Sequence, residues 1–499
     1  MRILGISSMF HDAAVTVIES TGIIRFAGHA ERYSKEKNDP FLHRDLIKEA
    51  LSYGTPDYVV FHEKTWAKRL RNIRAGAWSS LREPSQQDWI KDFYTNIAHI
   101  PQTSYWHHET HAAAGVLTSN LDSAAVMVID AIGEFDTASI WHWCNGKLKK
   151  KHSVWFPSSL GLFYSAVTAH VGLKPMEDEY ILMGMAAYGD PSRALEIKKQ
   201  MLSLYFKPGV INLKVNLQRG LTDSNKFKDC DPMDIALAAQ WIVEEQVCNY
   251  AQKAKQITGE STLVFMGGVA LNCVANSLLY SIFDNLHIMP NPGDAGSSLG
   301  AAALHYYNLT GNRPKWDTPY LGTNMIGKYP VQKALASLER NEIFGIANGR
   351  AEFGPRALGN RSLMADPRGS EIKDRMNEIK KRQKFRPFAP VIMEEHVHEY
   401  FEMPNNCLSP YMQVVAKCTK PREFPAIVHA DGTSRVQTVN ATQHPGLYEL
   451  LSKFYERTGC PMLVNTSLNI KGQPIVNDES DAIAFANHYN LDVHILDSQ

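Results

Sequence analysis

The sequence predicts an α/β protein of two domains, and three observations carry that reading. One strand plan is written twice within the N-terminal third of the chain. Helical and strand-like segments follow it, among them Ile235 to Gln256, whose apolar residues recur at helical spacing, and the short apolar run Leu263 to Met266. From His305 to Tyr329 the periodicity lapses, and Gly311, Pro314, Pro319, Gly322 and Gly327 mark a boundary. The expected domains are 1–320 and 321–499.

The first copy of the repeated plan starts with the apolar run Arg2 to Ile6 and passes through a loop holding His11 and Asp12. It continues as Ala14 to Ile18, turns at Thr21-Gly22 and closes with Ile23 to Ala27. In the second copy, the run Ala124 to Ile129 leads into an acidic, glycine-containing loop, Asp130 to Asp136. Then come Ala138 to Trp143, a turn at Asn145-Gly146, and a third run from Lys147. Strand, loop, strand, turn, strand in two halves is the plan of an actin-like, sugar-kinase-like ATPase fold, whose loops face each other across a cleft. Residues between Asp190 and Asp231 read as loose, partly helical and peripheral. Beyond the boundary, Ile343 to Ala347 opens a new strand set that includes Met462 to Val464.

A chain of 499 residues is too long for one ordinary core, and 44% hydrophobic with 21% charged residues is a globular composition. The 52 basic and 52 acidic residues cancel, which removes a global electrostatic argument for nucleic-acid binding. The basic run Lys147 to Lys151 reads as a solvated hairpin tip. Seven scattered cysteines without C-x-x-C spacing indicate neither a zinc ribbon nor a disulfide framework. Without an apolar leader or a spanning run, the expected location is the cytoplasm.

His107 and His111, in His107-His108-Glu109-Thr110-His111, are four residues apart and share one helical face, an efficient way to offer two imidazoles to one metal ion. Asp130 ends a predicted strand, and Asp294 opens a helix. Together they make a mixed nitrogen and oxygen set suited to iron, manganese or zinc, against the alternative of ordinary surface histidines. His11 beside Asp12 is either a general base for an acceptor hydroxyl or a group that fixes its loop by hydrogen bonding. Gly267-Gly268, between a strand and a helix, either cradles a phosphate or makes a tight turn.

Two arginine-rich segments stand out in the C-terminal part. Gly349 to Ser362 (GRAEFGPRALGNRS) carries Arg350, Arg356 and Arg361 interleaved with glycines and a helix-breaking Gly354-Pro355. Lys380 to Phe388 (KKRQKFRPF) carries Arg386. Guanidinium groups suit planar, multidentate phosphate recognition, and the Pro and aromatic interleaving argues against two freely solvated loops.

In their order these motifs resemble the O-carbamoyltransferases of nodulation-factor and antibiotic biosynthesis, along nearly the whole chain from Gly5 to about Ala482. The segments Pro157 to Tyr164, Glu179 to Gly189, Asp431 to Val439 and Asn465 to Asn469 complete the match. The metal quartet also resembles that of the related tRNA threonylcarbamoyltransferases. The resemblance implies an actin-like N-terminal domain and a YrdC-like C-terminal one. It further implies that ATP with Mg2+ and carbamoyl phosphate give carbamoyl-adenylate and pyrophosphate in the C-terminal domain. Arg350, Arg356, Arg361, Arg386 and Arg435, with Asn465 and Ser467, would bind the phosphates there. Gly267, Gly268, Asn272 and Asn469 would bind nucleotide.

A transition metal, Fe2+ before Mn2+ or Zn2+, would sit on the quartet in the N-terminal domain. Catalysis there would fall to His11, Asp12 and Lys37. The acceptor would be a hydroxyl on a sugar, a small alcohol or a hydroxymethylated DNA base, with the enzyme a monomer or homodimer. Ile181 and Asn38 depart from the family's lysine and histidine. The competing readings are a tRNA threonylcarbamoyl-type modification enzyme, which leaves the arginine-rich C-terminal domain unexplained, and a non-catalytic actin-like nucleotide-binding protein, which has no need of the quartet.

Overall fold

Two five-stranded sheets, each built around a strand with both faces covered, dominate the N-terminal part of the computed structural model. The structure describes residues 1–74, 76–82, 85, 88, 90, 94–383, 386, 388–404 and 406–495. The first sheet contains β1 (Arg2–Ser7), β2 (Ala14–Glu19), β3 (Ile24–His29), β4 (Tyr58–Phe61) and β5 (Gln102–Ser104), in the order β3-β2-β1-β4-β5. The second contains β6 (Ala124–Ile129), β7 (Asp136–Cys144), β8 (Lys147–Trp155), β9 (Thr262–Met266) and β10 (Asn285–His287), in the order β10-β9-β6-β7-β8. Both sheets therefore read third, second, first, fourth, fifth. In each, the first strand pairs antiparallel with the second and parallel with the fourth. β6, Ala-Ala-Val-Met-Val-Ile, is buried at every position, as expected of a central strand covered on both faces.

Four helices matter for the site: α1 (His107–Leu117), α2 (Leu160–His170), α3 (Pro232–Thr258) and α4 (Gly296–Thr310). α4 packs on β1 and β2, α1 packs on β6 and β9, and the two helices lie against each other. Small residues allow this: a Cβ on Gly300 of α4 would come within 1.9 Å of the Thr110 carbonyl oxygen of α1. α3 covers the predicted helix Ile235 to Gln256. Asp231 caps it by accepting from the Met233 N–H, Pro232 stands in its first turn, and Gly259 ends it in the left-handed region. The region expected to be loose holds a regular 15-residue helix, Pro191–Tyr205, capped by Asp190 and packed on α3. No described helix is long and apolar enough to cross a membrane.

The chain divides into two compact units, one of Met1–Ala27 with Asn38–Trp316 and a second of Gly28–Lys37 with Asp317–Gln499. The division at 316/317 lies close to the expected 320/321, but the short N-terminal segment Gly28–Lys37 belongs to the second unit. The strands of that unit's C-terminal part are β11 (Tyr320–Met325), β12 (Phe344–Ala347), β13 (Gly349–Glu352), β14 (Arg361–Ala365), β15 (Ala389–Met393), β16 (Phe401–Glu402), β17 (Val415–Cys418), β18 (Thr433–Arg435), β19 (Gln437–Val439), β20 (Met462–Ser467) and β21 (Val493–His494). A mixed sheet in the order β19-β15-β20-β14-β12-β21 forms its centre, beside the pair β11-β13 and the small sheet β16-β17-β18. α5 (Ile372–Lys380) and α6 (Pro445–Thr458) belong to this unit. Of the second arginine segment, Lys384, Phe385 and Pro387 lie outside the described residues.

Candidate functional site

The i, i+4 histidine pair lies on the first turns of α1, and both rings are buried. Asp130 follows the last residue of β6 and Asp294 precedes α4, so the packing that brings α1 against α4 and β6 also assembles the quartet. The His107 and His111 Nε2 atoms are 3.0 Å apart. Asp130 Oδ2 is 3.1 Å from His107 Nε2 and 3.2 Å from His111 Nε2. Asp294 Oδ1 is 3.2 Å from His111 Nε2 and 3.3 Å from His107 Nε2. A cation bonded to each ligand at about 2.1 Å requires ligand separations of roughly 3.0 Å in octahedral and 3.4 Å in tetrahedral geometry. These five separations lie in that range, all four ligand atoms are within 4.8 Å of one another, and the donor set of two imidazoles and two carboxylates fits a transition-metal ion.

The surroundings hold this set from outside. Asp130 Oδ1 accepts from the Ala131 N–H at 2.8 Å and the Gly268 N–H at 3.3 Å, leaving Oδ2 for the histidines. Gly267, at φ +90°, lets the chain pass β6: a Cβ there would sit 2.3 Å from the Ile129 carbonyl oxygen. The N–H of His107 donates to both oxygens of buried Glu134 at 3.1 Å, and the Lys64 N–H donates to one of them at 2.7 Å. Glu134 thus fastens the N-terminus of α1, where a carboxylate is favoured. Its environment raises its pKa, burial outweighing the pull of His107 and the two backbone donors. Burial alone would depress His107 and His111, but Asp294 and Asp130 outweigh it and raise both. Burial would raise the two carboxyls, and the histidines more than reverse it.

His11 stands beside the quartet. Its Nε2 is 3.4 Å from Asp294 Oδ2, and its Nδ1 is 3.0 Å from Asp12 Oδ2. Burial works against charging this imidazole, yet Asp294 and Asp12 raise it to about 9. Asp294 therefore turns one oxygen to the histidine pair and the other to His11.

Several expected ligands have other work. Asn272 Oδ1 accepts from the Ala275 N–H at 3.1 Å, capping the helix Cys273–Leu278, and its amide pairs with Gln240 at 3.0 and 3.1 Å. Gly267 and Gly268 serve Asp130. Asn469, grouped with them in sequence, belongs instead to the second unit. Ile181 is a buried apolar residue on the helix Glu179–Met185. Asn38 adopts φ +54°, which asparagine tolerates, and donates to the Met176 carbonyl at 3.0 Å.

In the second unit the expected phosphate ligands separate into two kinds. Arg361 is fully buried, and its guanidinium donates to the carbonyls of Asn477, Asn348, Gly349, Asn360 and Thr323 at 2.8–3.2 Å. That engages every N–H group it has, so the expectation that Arg361 meets phosphate is corrected: it is a strut beneath the segment. Glu352, also buried, accepts from the Leu358, Asn360 and Arg361 N–H groups at 2.8, 2.9 and 3.2 Å and curls the chain around one carboxylate oxygen. Arg350 donates to the Leu321 and Gly322 carbonyls at 2.6 and 3.2 Å, and Asn465 binds Gln437 Oε1 and the Ala357 carbonyl at 2.6 and 3.1 Å. Arg356, Arg386 and Arg435 are half-buried.

Lys380, at the C-terminal end of α5, is the group that sequence reasoning passed over. Its buried ammonium donates to the Ser467 carbonyl at 2.7 Å, to Ser467 Oγ at 3.4 Å, to the Asn469 carbonyl at 3.3 Å and to Asn469 Oδ1. Burial first, then the positive charges of Arg382, Arg386 and Lys37, hold it well below the usual lysine range. Lys37, expected in the transfer site of the first domain, falls in the second unit, where its charge bears on Lys380. Four cations with Ser467 and Asn469 make a site whose charge suits an anion. The signal in the sequence was the lysine opening the second arginine segment.

Residues 59–303 match the family model "Carbamoyltransferase N-terminus" and residues 335–499 match "Carbamoyltransferase C-terminus". An uncharacterised protein of Synechocystis sp. is 33% identical over 100% of this chain and 96% of its own length. Nodulation protein NolO of Bradyrhizobium diazoefficiens is 34% identical over 76% of this chain and 75% of its own. The 3'-hydroxymethylcephem-O-carbamoyltransferase of Amycolatopsis lactamdurans is 28% identical over 95% of this chain and 94% of its own. The chain belongs to the carbamoyltransferase family. It is an enzyme, a carbamoyltransferase with O-carbamoyltransferase relatives.

Proposed function

We propose that this enzyme is an ATP-dependent O-carbamoyltransferase working in two steps at two sites, one on an actin-like N-terminal domain and one on a YrdC-like C-terminal domain. The observation that carries this reading is the buried quartet His107, His111, Asp130 and Asp294, with the two imidazoles 3.0 Å apart, each 3.1–3.3 Å from both carboxylates, and His11 alongside. At the C-terminal site, carbamoyl phosphate and one water give carbamate and phosphate. A carbamate oxygen then attacks the α-phosphorus of Mg2+-bound ATP, and pyrophosphate leaves with the electrons of the broken P–O bond. Lys380, Arg356, Arg386, Arg435 and Lys37 neutralise the phosphates, with Ser467 and Asn469 orienting Lys380. Arg361 and Glu352 keep the loop in shape.

At the N-terminal site the acceptor hydroxyl attacks the carbamoyl carbon, a new C–O bond forms, and AMP departs with the electrons of the old one. A divalent ion held by His107, His111, Asp130 and Asp294, Fe2+ before Mn2+ or Zn2+, supplies a Lewis acid for the carbonyl when bound. His11 faces Asp294; a cation drawing on that carboxylate would favour the neutral imidazole, which is placed to orient the acceptor hydroxyl and take its proton, with Asp12 fixing the ring through Nδ1. The acceptor is an alcohol such as a sugar, a small molecule or a hydroxymethylated base, and the reaction belongs to the cytoplasm. Incubation with ATP and isotopically labelled carbamoyl phosphate should release pyrophosphate and place label on alcohol acceptors. Label transfer without ATP would remove the adenylate from the mechanism.

A further inference from the structure

Next to His11 and His107 in the chain stand exposed aromatic side chains that the two-step chemistry leaves without a task. Trp66 is 61% exposed, Phe10 42% and Trp106 37%, although large aromatic residues ordinarily bury most of their surface. Their positions are tied to the site. Phe10 precedes His11, with ring centroids 4.7 Å apart. Trp106 precedes His107 and forms the N-cap position of α1. Trp66, three residues beyond Glu63 on the helix Thr65–Arg74, meets Trp106 at 5.9 Å with their planes at 70°.

Two ammonium groups flank these rings. Lys64 Nζ is 5.8 Å from the Trp106 ring and Lys68 Nζ is 5.5 Å from the Phe10 ring. Each is anchored, Lys64 on the Ser104 carbonyl at 2.7 Å and Lys68 on Glu63 at 2.8 Å, and an ammonium has three donors. Two indoles at a steep angle form a corner that takes the flat apolar face of a ring, while the flanking ammoniums meet polar substituents at its edge. An acyclic alcohol has no such face.

We propose that Phe10, Trp66 and Trp106 form the acceptor-recognition shelf and that the acceptor is a ring-bearing alcohol stacked on it. This rests on the transferase reading above and narrows its acceptors to those with a saturated sugar-like ring or a heteroaromatic ring, both of which offer an apolar face. Trp66 is a specificity residue, because it is most exposed and holds no backbone position in the site.

The test uses the full-length, metal-loaded enzyme and three probe alcohols: methyl β-glucoside, thymidine and sorbitol. Label transfer from carbamoyl phosphate should be faster with one or both ring probes than with acyclic sorbitol, and which ring is preferred separates the two sources. Trp66→Ala should raise KM for the preferred ring by about tenfold, the size of one aromatic stacking contact, and Trp66→Phe should recover most of it. Binding of the ring probe, followed by saturation-transfer NMR, should weaken in Trp66→Ala while metal content stays at the wild-type value. Equal rates on sorbitol and the rings, or an unchanged ring KM in Trp66→Ala, would overturn the shelf. No carbamoyl-phosphate-dependent pyrophosphate release, with ring binding still dependent on Trp66, would overturn the two-step transfer reading and leave the shelf standing. A concentration-dependent dimer that dissociates in Trp66→Ala would reassign the face to a second copy of the chain.

Discussion

Asp130 and Asp294 each divide their two oxygens, and the division explains how one site can be both rigid and reactive. Asp130 gives one oxygen to backbone N–H groups and one to the histidines, which would fix it as a metal ligand. Asp294 gives one to the histidines and one to His11, which would link a bound metal to a group that can move a proton. Replacing both His107 and His111 with alanine should abolish the near-stoichiometric metal expected in protein purified without chelator, and elemental analysis reads this directly. Metal content equal to wild type would remove the quartet as its site. Two arginines of one segment make the matching contrast. Arg361→Leu strands five carbonyls in the interior and should cost about 3–5 kcal/mol in urea unfolding, in the range of a broken buried charge network. Arg356→Ala, half-buried, should cost about 1 kcal/mol or less, as expected away from such features. Sequence alone could not separate them, because both stand in the same glycine-rich run and only burial tells strut from ligand.

At the scale of elements, the sites occur where strands and helices end. The strand plan was legible because β1 and β6 are nearly continuous apolar runs and the turns between strands carry Gly and Asn. The quartet was legible because i, i+4 spacing survives any packing. What the sequence did not disclose depends on contacts distant along the chain: Gly267 and Gly268 proved to shape the carboxylate site, and Lys37 and Asn469 proved to join Lys380. Gly267→Ala should therefore act on the metal. A Cβ placed 2.3 Å from the Ile129 carbonyl, at φ +90°, forces the loop away from Asp130. Metal affinity should fall by about tenfold or more, the scale of an outer-shell loss, as measured by competition with a chelator. Lys380 gives a pH prediction with a definite sign. Burial and neighbouring cations depress it in the free site, while a bound phosphate dianion raises it, so phosphate binding takes up a proton. Affinity for inorganic phosphate should then decrease as pH rises through the depressed pKa, and calorimetry in buffers of different ionisation enthalpy should show the uptake. An affinity for the phosphate dianion that does not change with pH, with no proton uptake on binding, would mean that Lys380 is only structural.

For the whole molecule, two units imply two separable half-reactions. The first unit holds the quartet and His11; the second holds the cation cluster, completed by Lys37 from the N-terminal sequence. If carbamoyl-adenylate forms in the second unit, Arg356→Ala should lose carbamoyl-phosphate-dependent pyrophosphate release, because losing a charge-assisted partner of a phosphate costs about 2–3 kcal/mol, a factor of roughly 30–150. The His107→Ala/His111→Ala protein should still release pyrophosphate while failing to place label on any alcohol. His11→Asn tests the link between the halves, since asparagine keeps hydrogen-bonding capacity and removes the base. It should release pyrophosphate and hold metal, and its transfer rate should drop by about 10²–10⁴-fold, the usual range for a lost general base. Transfer within a few-fold of wild type at saturating acceptor would limit His11 to positioning Asp294. Loss of pyrophosphate release in the His107→Ala/His111→Ala protein would be more consequential: it would mean that the units do not act independently and that adenylation requires the intact quartet.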